Sequence, residues 1–386
     1  MILGCLGGGQ LARMLALAAH PLGISLRVRD DLDATPAAPV CDARVGPLRT
    51  DADLDSFCAG LHAVTYEFEN VDADLADRLA LRVPVRPSPA ALRTAQDRLL
   101  EKRLFTSLGI KTPTYVPVDS LAQLPDAAAV TGLPAVLKTR RLGYDGKGQA
   151  VLRSPDDFAP AVSALLSAHG ELPPLILESF VPFQRELSII AARSTSGRTA
   201  FYPLIENHHR SGVLRLSIAP APHAPPELEA AARRAVASVM DATAYVGVLA
   251  LELFLVGDRL LANEIAPRVH NSGHWTIDAS RTSQFENHAR AAADLSLGDT
   301  AMLAPGSCAA MVNLVGDLPG LPTLAALPGV NTHVYAKAPR PGRKVGHLNL
   351  TAPSLAQLVG QLGSLARRNL PGVSIPQARL DELAQA

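Results

Sequence analysis

Residues 246–265 read VGVLALELFLVGDRLLANEI. Two apolar runs flank Gly257-Asp258-Arg259, which predicts an antiparallel hairpin of residues 248–256 and 260–265. Leu249, Leu251, Leu253 and Leu255 alternate and should face a core, with Ala250, Glu252 and Phe254 on the opposite face. A three-residue turn sets Glu252 directly opposite Glu264, with Cβ atoms about 5 Å apart. Two carboxylates so placed repel unless a cation bridges them, and Mg²⁺ shared with nucleotide phosphates is the usual solution. A two-residue turn would bring Asn263 opposite Glu252 instead, and its amide oxygen also suits a metal. The plain alternative is a surface hairpin with solvated acids, which the apolar flanks disfavour.

Upstream, residues 135–137 form an apolar strand that ends on Lys138, followed by Arg140-Arg141-Leu142-Gly143-Tyr144-Asp145-Gly146-Lys147-Gly148-Gln149. Glycines permit close backbone approach and the cations supply charge, so the loop can fold over a polyphosphate. Asp-Gly is also a common hairpin turn. Lys138 favours the phosphate reading, because a lysine embedded in a buried strand needs an anion to offset desolvation. The strand at 175–177 ends on Glu178, and Ser179-Phe180-Val181 follow as a hinge whose backbone can read a base edge while Glu178 takes ribose hydroxyls. Glu186 opens the next strand, and Glu206-Asn207-His208-His209 is a polar cluster that reads as a hydrogen-bonding edge or a fragment of a zinc site.

At the start of the chain, strand 2–6 leads into Gly7-Gly8-Gly9-Gln10-Leu11-Ala12 and a helix to about residue 19. Such glycines expose N–H groups to an anion at a helix N-terminus. Asp30 or Asp31, about twenty residues on, also allows a dinucleotide reading, so both NAD(P) and a phosphate or substrate role fit. Strands at 25–28 and 63–66, the latter ending at Glu67-Phe68-Glu69-Asn70, complete an α/β, doubly wound parallel unit that closes near the prolines of 84–89. One helix is expected over 89–108, then a small α+β lobe at 114–183 built on strands 135–139, 149–152 and 175–178 around one helix near 156–168. Long strands are expected at 186–192, 200–203, 246–256 and 260–265, with helices at 226–241 and 283–293. The tail should carry short strands at 309–315 and 331–335 and a helix at 355–367.

Residues 266–276, APRVHNSGHWT, gather Arg268, His270, Asn271, Ser272 and His274 in a loop suited to anionic oxygens. His270 and His274 have the spacing of helical metal ligands, but Pro267 and Gly273 oppose a helix. Residues 337–347, KAPRPGRKVGH, form a proline-stiffened basic loop able to hold a phosphate monoester, or simply a solvated one.

With 386 residues the chain exceeds one core, and two or three domains are expected at roughly 100–200 residues each. Lys plus Arg total 36 and Asp plus Glu total 36, a balance unlike that of nucleic-acid or membrane-surface proteins. Four cysteines without zinc spacing read as reduced thiols of a cytoplasmic protein. Neither a signal peptide nor a spanning apolar run is expected.

The segments GGGQLARM (7–14), TYEFENV (65–71), QDRLLEK (96–102), LKTRRLGYDGKGQ (137–149), RELSII (185–190), YPLIEN (202–207), NEIAPRVHNSGHWT (263–276), SQFENHARA (283–291) and PGRKVGHLNL (341–350) occur in order along nearly the whole chain. In them the chain resembles the ATP-grasp superfamily and, within it, the 5-(carboxyamino)imidazole ribonucleotide synthases of purine biosynthesis. The resemblance implies a Rossmann-like N-terminal domain at 1–90 and an ATP-grasp domain at 91–300 with its small lobe at about 113–183. A C-terminal lobe at 301–386 would complete the cleft. It implies ATP and Mg²⁺ as cofactors, aminoimidazole ribonucleotide and bicarbonate as substrates, and a homodimer. Another ATP-grasp ligase, using a carboxylate such as formate, is the alternative. By motif, Arg98, Lys138, the 143–149 loop (Gly143, Tyr144, Asp145, Gly146, Lys147, Gly148, Gln149), Glu178, Ser179, Phe180, Val181, Glu186, His209, Asn263 and Glu264 would touch ATP, with Glu252 and Glu264 on the metal. Gly9, Gln10, Glu67, Asn271, Ser272, Lys337, Arg343 and Lys344 would bind substrate, and Tyr144, Asp145, Lys147, Arg268, His270 and Lys337 would serve the chemistry. Two departures are Ala12 for a usual glycine and Lys147 for a frequent arginine.

Overall fold

The computed structural model describes residues 1–143, 148–169 and 173–385. These form three sheets, and the expected mixed α/β and α+β architecture is present. The N-terminal sheet is parallel throughout, in the order Asp42–Val45, Ser25–Asp30, Ile2–Leu6, Ala63–Tyr66. Its central strand is buried from Leu3 onward, as strands covered by helices on both faces must be.

Residues 89–108 form two helices rather than the single one expected. Pro89–Gln96 and Arg98–Ser107 are separated by Asp97, which is extended at φ −124°. The Asp97 carboxylate accepts from Leu99 N at 2.9 Å and from the Arg140 guanidinium at 3.0 and 2.6 Å. Capping the second helix therefore also fixes the strand that carries Lys138.

The small lobe is a four-stranded antiparallel sheet, Tyr115–Val118, Leu175–Ser179, Ala135–Thr139, Gln149–Leu152. It carries two α-helices, Leu124–Thr131 and Phe158–His169, where one was expected. Strand Tyr115–Val118 is also additional, and its proline and half-exposed positions hide it from a periodicity reading.

The large sheet has nine strands. Arg259–Ala266 is one edge, followed by Gly247–Val256, Arg185–Arg193, Ile205–Arg210, Val213–Ala219, Cys308–Val315, Lys344–Ala352 and Val330–Val334, with Thr199–Phe201 beside Arg185–Arg193. The pairing of Val213–Ala219 with Cys308–Val315 runs the central and C-terminal parts together in one sheet. The basic loop expected over 337–347 stops at Arg343, because Lys344 already begins a nine-residue strand whose Val345, Leu348 and Leu350 enter the core. The predicted alternation holds in the hairpin. Leu249, Leu251, Leu253 and Leu255 pack with the helix Pro226–Ala242 in one core, while Val248 and Ala250 join the other face. Glu252 and Phe254 continue that second face beyond its core, into a cleft. No helix among the described residues is long and apolar enough to cross a membrane.

The C-terminal helix Gln377–Gln385 is latched to the large sheet by charge. Buried Glu206 accepts from Arg379 at 2.7 and 3.1 Å, pairs with His208 at 2.8 Å and meets Arg185. Burial alone would raise its pKa, but His208, Arg379 and Arg185 outweigh that and hold it at about 2, below the ordinary 4.5. A lowered carboxyl contributes stability that is full above about pH 4.5 and is lost as pH falls toward 2. Arg379→Ala should therefore cost about 1–3 kcal/mol in urea unfolding at pH 7. The deficit should shrink steadily below about pH 4.5, and a deficit independent of pH would contradict the latch.

Candidate active site

The hairpin resolves its two sequence alternatives by combining them. The turn is the two-residue Gly257-Asp258, since Val256 pairs with Arg259. The register then shifts: Leu253 pairs with Ala262 but Leu251 with Ile265. Glu252 thus faces two residues, Asn263 and Glu264, across a β-bulge. Bulges commonly re-aim side chains beside active sites. The three-residue turn expected from the sequence is not formed, yet Glu264 and Asn263 both lie across from Glu252.

Each acid has a basic partner. Glu264 accepts from Arg98 at 2.6 Å and Glu252 meets His270 at 3.2 Å. Burial raises the Glu252 pKa, but His270, with His209 and Lys344, overrides it and holds the carboxyl at about 2. The Asn263 Oδ1 is buried with no partner among the described residues. Two carboxylates and a free amide oxygen form a hard-oxygen donor set that fits Mg²⁺. Among the described residues no group of three or more His, Cys, Asp or Glu side chains gathers to hold a metal unaided. A metal here would complete its shell from phosphates and water.

Lys138 needs no external anion, contrary to expectation: its Nζ donates to Glu178 on the adjoining strand at 2.9 Å. Lys102 lies 3.5 Å from the same oxygen. Burial would raise the Glu178 pKa, but these two ammonium groups hold it at about 2. Glu178 Oε1 remains buried without a partner among the described residues, an acceptor left for a ligand hydroxyl or amine. In the hinge, the Ser179 Oγ accepts from Thr114 N and the Phe180 N–H is spent on Pro134 O, at 3.1 Å each. The Val181 carbonyl accepts from Phe183 N at 2.9 Å. Glu186 and His209 pair at 2.5 Å on neighbouring strands. Gly143 accepts from Arg98 at 3.4 Å, the Gly148 carbonyl accepts from Thr139 N at 2.8 Å, and Gln149 pairs with Lys138 across the small sheet. Tyr144, Asp145, Gly146 and Lys147 lie outside the described residues.

The polar loop after the hairpin wraps behind the acids. Arg268 is buried against Glu69. Burial would raise the Glu69 pKa, yet Arg268 holds it at about 2. Ser272 is fully buried, its hydroxyl between His270 Nδ1 at 2.9 Å and Ser188 at 2.8 Å. Its place is behind His270 rather than at the open cleft expected for a substrate contact. Asn271 exchanges two side-chain hydrogen bonds with Asn313, at 3.1 and 2.7 Å. His274 is buried against Gln284, at 3.2 Å, and Phe285, which removes the metal reading of a His270/His274 pair. The Glu206–His209 zinc reading fails likewise, because Glu206 takes the arginines, Asn207 bonds Ser188 and Ser217, and His209 turns to Glu186.

The glycine turn does hold an anion, and the anion belongs to the chain. Glu67 accepts from Gly9, Leu11 and Ala12 N at 2.5, 3.1 and 3.0 Å, and Asp30 accepts from Gly8 N at 2.8 Å. A dinucleotide pyrophosphate would have to displace the Glu67 side chain from three backbone N–H groups, so the NAD(P) reading is set aside. Gln10 accepts from Lys337. Arg343 donates to Ala338 O at 3.3 Å, and Lys344 begins the following strand.

Pattern reading passed over several contributors. Glu69 and Phe254 were quoted in motifs without roles, and Phe254 stacks on Phe183 at 4.7 Å. Gln284, fully buried, clamps His270 by both backbone groups, at 2.9 and 2.6 Å. Glu101 and Lys102 were visible only as the i+3 and i+4 neighbours of Arg98 on one helix.

Sheet, glycine loop and bulged carboxylate hairpin define an ATP-grasp enzyme, and the ATP-grasp domain model matches residues 103–285. The ribonucleotide synthetase preATP-grasp domain matches 1–96, and the phosphoribosylaminoimidazole carboxylase C-terminal domain matches 309–361. The chain belongs to the N5-carboxyaminoimidazole ribonucleotide synthase family. The synthase of Pseudomonas aeruginosa is 47% identical over 370 residues, covering 95% of this chain and 98% of its own. The crystal structure of the Thermus thermophilus synthetase superimposes with TM-score 0.89 at 49% identity, covering 97% of this chain and 99% of that one. A synthase from Aspergillus clavatus, in complex with ADP and 5-aminoimidazole ribonucleotide, matches with TM-score 0.86 at 29% identity, covering 95% and 97%.

A Cβ on Gly9 would lie 2.3 Å from Glu67 Oε1, closer than atoms pack. Gly9→Ala should therefore eject the Glu67 carboxylate and cost about 1–3 kcal/mol in urea unfolding. Unchanged stability would contradict the seating of Glu67 on the helix N-terminus.

Proposed function

We propose that this chain carboxylates 5-aminoimidazole ribonucleotide with bicarbonate, converting ATP to ADP and phosphate and yielding N5-carboxyaminoimidazole ribonucleotide in purine biosynthesis. The observation that carries the site assignment is the bulged hairpin, which collects Glu252, Asn263 and Glu264 beside Arg98 in a member of this family. The reading includes Mg²⁺ as the metal, a homodimeric assembly and a cytoplasmic location.

Glu252, Glu264 and the free Asn263 oxygen would hold Mg²⁺, displacing His270 and Arg98 from the carboxylates. Bound there, the ion supplies neutralisation of charge on phosphoryl oxygens. Lys138 steadies Glu178, whose free oxygen meets the nucleoside, and Glu186 with His209 borders the same nucleotide. A bicarbonate oxygen attacks the γ-phosphorus as the bond to ADP breaks, giving carboxyphosphate. Arg268 and the freed His270 face the developing negative charge. Carboxyphosphate then splits into CO₂ and phosphate. The exocyclic amine forms its N–C bond to CO₂ and releases a proton, for which Asp145 is the proposed acceptor. The amine is a weak nucleophile because its lone pair is shared with the ring, so capture depends on holding both partners in one closed pocket. Lys337, Arg343 and Lys344 would bind the substrate phosphate, and Gln10 and Glu67 would line its ribose side.

ADP release in bicarbonate buffer should depend on added 5-aminoimidazole ribonucleotide, and a rate indifferent to that nucleotide would overturn the substrate. Glu264→Gln should lower kcat by at least about 100-fold, and near-normal turnover would remove its metal role. Burial, with Arg343 nearby, lowers the Lys337 pKa to about 8 against the pull of Glu67. The ammonium is thus charged below that pH and lost above it. KM for the ribonucleotide should rise above about pH 8 while KM for ATP stays level, and a flat profile would exclude Lys337 from phosphate binding.

A further inference from the structure

The strand Arg259–Ala266 that carries Asn263 and Glu264 is an edge of the large sheet, and its bulge breaks the ladder on the paired side as well. Backbone groups left open in this way demand partners. They receive them from the helix Arg98–Ser107. Glu101 accepts from Ile265 N at 2.6 Å. Lys102 donates to Asn263 O at 2.7 Å and Ala262 O at 3.4 Å. Both side chains are almost completely buried, at 2% and 1% exposure, where an ionisable group is retained only if its partners are good. The two short contacts fall on the backbone of Asn263 and Ile265, one on each side of Glu264. One helical turn earlier, Arg98 reaches the Glu264 carboxylate itself. Lys102 also stands 3.5 Å from Glu178, so one ammonium joins the metal hairpin to the nucleotide strand of the small lobe.

We propose that Glu101 and Lys102 are positioning residues that lock the bulge from behind and thereby aim Asn263 Oδ1 and Glu264 at the metal. The proposal rests on the reading of Glu264 as a metal ligand. A carboxyl oxygen on one N–H and the Lys102 Nζ on the carbonyls fix the backbone in both directions along the strand, which apolar side chains could not do. A bulge without such contacts can relax into regular pairing, and a slip of one residue would turn Glu264 to the opposite face.

Calorimetric titration with ADP, with Mg²⁺ and then with a chelator, tests this without turnover. Glu101→Ala should reduce the Mg²⁺-dependent gain in ADP affinity by at least about tenfold, as loss of an outer partner of a metal ligand does. Its metal-free ADP affinity should remain within about twofold. Glu101→Gln, which keeps an oxygen for Ile265 N, should retain most of the gain. Lys102→Met, preserving the stem, should lose the Mg²⁺-dependent gain as Glu101→Ala does, on top of a fall in metal-free ADP affinity from removing a basic group beside Glu178, and decides the matter if the alanine variant fails to fold. Equal loss of metal-free and metal-bound affinity, or no loss of either, overturns the positioning role. Glu264→Gln separates the two ideas. If it keeps the Mg²⁺ gain, the metal reading itself is wrong. If it loses the gain while Glu101→Ala and Lys102→Met keep it, only the positioning role falls.

Discussion

Two carboxyls, Glu178 and Glu252, sit where burial opposes their charge, and their basic neighbours nevertheless hold both at a pKa of about 2. Basic side chains stand beside them and beside Glu264: Lys138 with Lys102 at Glu178, His270 at Glu252, and Arg98 at Glu264. Paired charges in low dielectric seldom add net stability, but removing one partner strands the other at a cost of about 3–5 kcal/mol. Such an arrangement persists because the acids are wanted as anions.

The backbone is arranged around that requirement. The break at Asp97 starts the helix Arg98–Ser107 on the residue that meets Glu264, and its carboxylate also fastens Arg140 beside the Lys138 strand. Gln96, just before the break, donates to Glu69 O at 2.7 Å and accepts from Arg141 at 2.7 Å. A single interruption in a helix thus ties together the small lobe, the carboxylate hairpin and the loop acid that holds Arg268. Chain connectivity would not bring these elements together, since Glu69, Gln96 and Arg268 come from three separate stretches.

Much of this was legible. The hairpin and its buried leucine face follow from period-two alternation, and the parallel N-terminal sheet follows from alternating strands and helices. What escaped has physical causes. A bulge leaves no mark on alternation, so turn length alone could not choose between Asn263 and Glu264. Strands Ile205–Arg210 and Val213–Ala219 were not expected, because Asn207 and Ser217 interrupt their apolar pattern to join Ser188 in a buried polar chain. Lys344–Ala352 was masked by the basic run preceding it. Lys138 was interpreted as needing a ligand anion because the residue opposite a strand position cannot be known from one sequence, and here the anion was Glu178.

The glycine turn shows how the same physics can support opposite conclusions. Exposed N–H groups at a helix N-terminus attract an anion, and that much was correctly inferred from Gly7 to Ala12. The identity of the anion was not inferable locally, because Glu67 lies far along the chain and reaches the turn only once Ala63–Tyr66 pairs with Ile2–Leu6. With its own carboxylate seated, the turn repels a diphosphate and instead presents an acid and Gln10 toward Lys337. A motif that in another sheet would mark a dinucleotide site is here filled by Glu67 and tied through Gln10 to Lys337, from the far end of the chain. Which acid fills the turn is set by strand pairing, and the turn's own sequence leaves it open.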